Sequence, residues 1–132
     1  MITLEINHDP VPWKAHGGYG KKSYSLTSKE REFYRWQIRA QYTRSAPFSG
    51  PVRLVLSFHM PIPKATSAVR KRQMLNGVIH HIKRPDTTNL QKFAEDTLKG
   101  IVIEDDSQVV HIDARKIYSD RPRTVIMVEA MD

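Results

Sequence analysis

Apolar and polar positions alternate strictly at the start of the chain. Ile2, Leu4 and Ile6 are separated by Thr3 and Glu5, the pattern of a short strand with one buried face. Pro10 and Pro12 end it. Residues 13–25 carry Gly17, Gly18 and Gly20 among lysines and aromatics. They read as a solvated glycine loop or as an arm that grips phosphate. Thr27 and Glu30 have capping-box spacing and predict a helix running to about Arg44. Phe33, Trp36 and Ala40 make its expected inward face, and Arg31, Arg35 and Arg39 a ridge on the other side. That ridge is either a solvated face or a nucleic-acid contact. Val52, Leu54, Leu56 and Phe58 alternate with Arg53, Val55 and Ser57 in a strand that ends near Pro61. Ala68–Asn76 fits two turns of basic helix closed by Gly77, or else a flexible basic loop.

From Thr88 to Lys99 the period is again helical. Leu90, Phe93, Ala94 and Leu98 fall on one side, and Asn89, Lys92 and Asp96 on the other. Gly100 stops the helix, and Ile101–Ile103 reads as a short buried strand. Asp105, Asp106 and Ser107 form a turn. Val110, Ile112 and Ala114 alternate in the next strand. Thr124–Met131 is apolar on both faces and reads as a central or covered strand. The order predicts an α+β fold, a single domain over residues 1–132 with two main helices packed on a mixed sheet.

The chain has 132 residues, enough for one core, and a formal charge of +7. That charge favours a polyanion partner, with nucleic acid ahead of membrane. No long apolar run supports a membrane span, and the first residues do not resemble a signal peptide. With no cysteine there is no thiolate nucleophile, disulfide framework or zinc knuckle. A cytoplasmic protein fits.

Charge is unevenly distributed. Residues 33–85 hold ten bases and no acid, whereas Asp86, Glu95, Asp96, Glu104, Asp105, Asp106 and Asp113 are half of the chain's 14 acids. Carboxylates gathered in a basic protein suit a divalent cation beside a phosphate-binding surface. Magnesium takes oxygen ligands and keeps some waters, so few carboxylates suffice, and it can serve phosphodiester hydrolysis. Asp86 and Asp106 would converge if helix and strands pack as neighbours. Lys92 would stabilise charge on phosphate. Plainer roles stand beside these: a helix cap for Asp86, a hairpin turn for Asp105 and Asp106, and a surface ion pair for Lys92 and Asp96.

The run Arg84-Pro85-Asp86-Thr87-Thr88-Asn89-Leu90-Gln91-Lys92, followed by Asp96, Gly100 and Asp105-Asp106-Ser107-Gln108-Val109, resembles the RusA family of Holliday junction resolvases. The likeness is specific over about 27 residues and looser over most of the chain. It implies a RusA-like mixed-sheet domain that forms a homodimer. It also implies Mg²⁺-dependent paired cleavage of four-way DNA junctions in recombination and repair, with Mn²⁺ as a possible substitute, in a bacterial or phage-encoded protein. Asp86, Lys92 and Asp106 match catalytic residues, and Asp86 and Asp106 match metal-binding aspartates. Thr88 stands where the family has a second aspartate. Asp96 or Asp105 is expected to complete the metal site, Asp96 being favoured. Lys14, Lys21, Lys22, Arg70, Lys71, Arg72, Lys83 and Arg84 are expected to grip DNA. The alternatives are a branched-DNA-binding protein with weak or no catalysis, for which Thr88 is the motive, and a metal-dependent enzyme acting on a nucleotide or RNA.

Overall fold

The structure is a computed structural model and describes residues 1–14 and 28–131. The capping box at Thr27 and the lysines Lys21 and Lys22 lie outside the described residues. Seven elements follow in order: β1 (Ile2–Ile6), α1 (Ser28–Gln41), β2 (Val52–Pro61), α2 (Ala68–Leu75), α3 (Thr87–Leu98), β3 (Val109–Ser119) and β4 (Arg123–Ala130). A single 3₁₀ turn, Asp106–Gln108, leads into β3. The sheet order is β1-β4-β2-β3, with β2 and β3 parallel and the other pairs antiparallel. The mixed sheet and the α+β class are as expected, and β4 is an interior strand.

One sheet face is the core. Leu4 and Ile6, then Val52, Leu54, Leu56, Phe58 and Met60, then Ile126 and Val128 are all buried there. This is period-two burial set by the pleat. Helix α3 covers that face with Leu90, Phe93, Ala94 and Leu98, the side expected from its periodicity. Phe93 meets Tyr34 of α1 edge to face at 5.0 Å. Helix α2 is a true helix, capped by Ser67 and closed by Gly77 at φ 78°. It buries only Met74, so its three bases stay exposed.

Two expectations are corrected. Helix α1 turns inward Tyr34 and Ile38, while Phe33 and Trp36 are 42% and 72% exposed. The true face is rotated by about one residue, or about 100°, from the one marked by the aromatics. The rotation carries Arg31 and Arg35 toward α3, where they work as ties rather than as a solvated or DNA-facing ridge. Arg31 Nε donates to Asp96 Oδ2 at 2.6 Å, and Arg35 Nη1 donates to the carbonyls of Thr97 and Lys99 at 3.3 and 2.7 Å. Arg35 thereby satisfies carbonyls that the end of α3 leaves free.

The second correction concerns Ile101–Ile103, which is no strand. After Gly100 (φ 81°) the chain folds back on the helix end, with the amides of Ile101, Val102 and Ile103 donating to the Leu98 carbonyl. Only isolated bridges join Ile103 to Phe48 and Lys99. Val102 and Ile103 are nonetheless fully buried. Short apolar runs satisfy burial in either conformation, so pattern alone does not separate them.

Candidate functional site

Asp86 begins the site. It caps α3, its Oδ1 accepting the Asn89 amide at 3.2 Å, and its carboxylate remains exposed. Two clefts meet there. One, about 540 Å³, is lined by Pro12, Trp13, Lys14, Arg84, Pro85, Asp86 and Asn89. The other, about 560 Å³, is lined by His81, Ile82, Lys83, Arg84, Asp86, Thr87 and Lys116. Asp86 is the one acid of either lining, among Lys14, Lys83, Arg84 and Lys116. The structure thus gathers three of the expected DNA-binding residues, Lys14, Lys83 and Arg84, around the first expected catalytic aspartate. Arg70, Lys71 and Arg72 stand apart on α2.

Lys116 was not legible in the strand pattern. Its ammonium donates to the carbonyls of Lys83 and Pro85 at 2.7 and 3.0 Å, tying the segment before Asp86 to β3. Burial pushes its pKa down, and the Asp86 charge partly restores it. His81 packs on Tyr118 with ring centroids 5.1 Å apart. Its pKa is lowered by burial first and then by Lys116.

Lys92, exposed on α3, has its Nζ 3.6 Å from the centroid of the Trp13 ring. The Trp13 amide donates to the Asn89 carbonyl at 2.9 Å. Trp13 therefore belongs to the same cleft, a role that its place after Pro12 did not signal. The plainer alternative, an ion pair of Lys92 with Asp96, is not what the fold provides, because Asp96 is paired with Arg31.

The second group of acids lies elsewhere. Asp105 caps the 3₁₀ turn, with its carboxylate accepting the Ser107 amide at 3.0 Å. Hydrogen bonding from Ser107 holds its carboxyl below the usual range, with Lys99 at 3.8 Å adding to the effect. Gln108 staples this turn to the start of β2. Its Oε1 accepts the amides of Glu104 and Asp105 at 2.6 and 2.9 Å, and its Nε2 donates to the carbonyls of Phe48 and Gly50 at 2.7 and 2.9 Å. Asp106 is exposed, and among the described residues no ion pair or side-chain hydrogen bond engages it. Glu95, passed over in favour of its neighbour Asp96, sits near enough to feel it. Burial raises the Glu95 pKa, the Asp106 charge adds to the rise, and a hydrogen bond from Gln91 at 3.2 Å opposes it.

Asp106 lines neither of the clefts at Asp86, so the anticipated convergence of the two within one chain is not seen among the described residues. Asp86 caps the first turn of α3, and Asp105 pairs with Lys99 at its last. The twelve residues of α3, at 1.5 Å each, span about 18 Å. Two oxygens on one Mg²⁺ are no more than about 4 Å apart, given bonds of 2.0–2.1 Å. Consistently, no group of three or more His, Cys, Asp or Glu side chains that could hold a metal ion forms among the described residues. Nor is any helix among them long and apolar enough to cross a membrane.

An exposed carboxylate between two cationic clefts on a small α+β domain suits a phosphate-directed protein. The RusA family model, described as endodeoxyribonuclease RusA, matches residues 13–129. The chain belongs to the RusA endodeoxyribonuclease family. It is also 30% identical over 103 residues to a Bacillus subtilis (strain 168) protein described as uncharacterized protein YqaN, covering 76% of this chain and 72% of that one.

Proposed function

We propose that this protein is a Mg²⁺-dependent endodeoxyribonuclease that resolves four-way DNA junctions by paired cleavage as a homodimer. The observation that carries the reading is Asp86, held at a helix start between two basic clefts, in a chain of this family. Lys14, Lys83 and Arg84 bind the phosphates of the strands entering the clefts, and Lys92 stabilises the charge on the phosphate being cut. Asp86 and Asp106 are exposed oxygen donors, the ligand chemistry that Mg²⁺ prefers. When bound, the ion would supply an activated water and neutralise charge on the leaving oxygen. Glu95, on the Asp106 side of α3, replaces Asp96 as the supporting carboxylate, since Asp96 is committed to Arg31. Thr88 contributes a hydroxyl where the family has its second aspartate.

The separation along α3 gives the dimer a chemical reason. A two-fold axis brings the Asp86 end of one copy to the Asp106 turn of a second, twice over, and makes two related sites for two opposed strands. Complementation tests this. A labelled mobile four-way junction is incubated with Mg²⁺ and wild type, Asp86→Asn, Asp106→Asn, or both variants mixed after co-refolding. Symmetric nicks by wild type, none by either variant, and recovery of nicking in the mixture are expected. A mixture that stays inactive means each copy carries a whole site. Tight junction binding by wild type without cleavage in Mg²⁺ or Mn²⁺ favours the alternative, a branched-DNA-binding protein in which Thr88 has cost the catalysis.

A further inference from the structure

Lys92 ends in a flexible chain of four methylenes and is exposed on α3, so nothing in the helix itself fixes its ammonium. In this fold an aromatic face does. The Nζ lies 3.6 Å from the Trp13 centroid, well inside the range of about 6 Å over which a ring quadrupole attracts a cation. The ring is itself anchored. Trp13 is half-buried against the core, and its amide is bonded to Asn89, one turn before Lys92 on the same helix. Trp13 and Asp86 line one cleft. Among the described residues no carboxylate pairs with Lys92; the nearest candidate by helical spacing, Asp96, is bonded to Arg31. A carboxylate partner would fix the ammonium but compete with phosphate for its charge. A π-face fixes it and leaves the charge unneutralised.

We infer that Trp13 is a positioning residue, whose ring holds the Lys92 ammonium beside the Asp86 cleft that Trp13 lines, ready for the phosphate being cut. This rests on the nuclease reading above for the task of Lys92. Trp13 does not touch the reacting atoms in this scheme; it acts through Lys92.

The test compares Trp13→Phe, Trp13→Leu, Lys92→Ala and the Trp13→Leu/Lys92→Ala double variant. Single-turnover cleavage at saturating protein and junction affinity are measured for each. Trp13→Phe keeps a π-face and is expected to retain most of the cleavage rate. Trp13→Leu keeps apolar bulk without the quadrupole and is expected to slow cleavage roughly 10-fold, with affinity within about 2-fold of wild type. Added to Lys92→Ala, it is expected to do nothing more. Loss of affinity with an unchanged saturated rate would instead make Trp13 a DNA-stacking residue and overturn the inference. So would a Trp13→Leu defect that persists in full without Lys92.

A second readout does not depend on catalysis. The terminal methylene protons of Lys92 are expected at upfield ring-current shifts in NMR spectra of wild type, and at ordinary shifts in Trp13→Leu. Ordinary shifts in wild type reject the placement. Upfield shifts in a wild type that cuts no junction uphold the contact and remove the nuclease reading.

Discussion

Gln108→Ala removes four hydrogen bonds at once, to Glu104 and Asp105 on one side and to Phe48 and Gly50 on the other. A net bond is worth about 1 kcal/mol, so the sum is bounded near 4 kcal/mol. Three of the four are exposed and can be replaced by water, whereas the Phe48 carbonyl is partly buried. The expected loss is therefore about 2 kcal/mol. For a domain of this size that corresponds to a fall in Tm of roughly 6–8 °C. Calorimetry measures it, and amide exchange localises it, since the Glu104 and Asp105 amides are expected to exchange faster. Gln108→Glu separates the two halves of the staple. Its carboxylate still accepts from both amides but sets an anion against two carbonyls, so a loss at least as large is expected. A Tm within about 1 °C of wild type for Gln108→Ala would show that the turn presenting Asp106 is held without the Gln108 staple.

Three other outcomes are expected. Gly100 sits at φ 81°, and a Cβ there would meet only Arg35 Nη2 at an ordinary 3.7 Å; Gly100→Ala therefore costs conformational strain without a clash, about 1 kcal/mol, read in urea denaturation. His59 and His81 both have pKa values lowered chiefly by burial, with Arg123 and Lys116 respectively adding to the effect. The unfolded chain takes up these protons first, so the stability they confer is complete above their ordinary value of 6.5 and is lost as pH falls below it. The urea midpoint is expected to drop between pH 7 and pH 5, less so in a His59→Gln/His81→Gln variant; Glu95, raised in pKa, works in the opposite sense, so the difference between the two proteins is the measure. Replacing Arg70, Lys71 and Arg72 by alanine leaves the Met74 contact of α2 intact and is expected to lower the slope of log affinity against log salt by about 2–3; an unchanged slope places α2 off the DNA path.

Much of this protein is local and therefore visible in its amino acids. The α3 stripe of Leu90, Phe93, Ala94 and Leu98, the Asp86 cap, the α2 stop at Gly77 and the alternation in β1 and β2 depend on neighbours a few residues away. The spacing from Arg84 to Val109 was enough to suggest the family. What local pattern left undecided was settled by packing. Helix α1 has apolar residues on two sides, and packing against β1 and α3, with Arg31 and Arg35 tied to α3, chose which side turned inward. Ile101–Ile103 is apolar enough for a strand, yet the free carbonyl of Leu98 captured its amides. Proximity of Asp86 and Asp106 in sequence said nothing of their distance, because the chain between them runs through the twelve-residue helix α3, about 18 Å long. Trp13 reached Lys92 across 79 positions of sequence through a backbone bond to Asn89. Contacts of that range are the ones no period or spacing encodes, since they exist only once the core has brought the elements together.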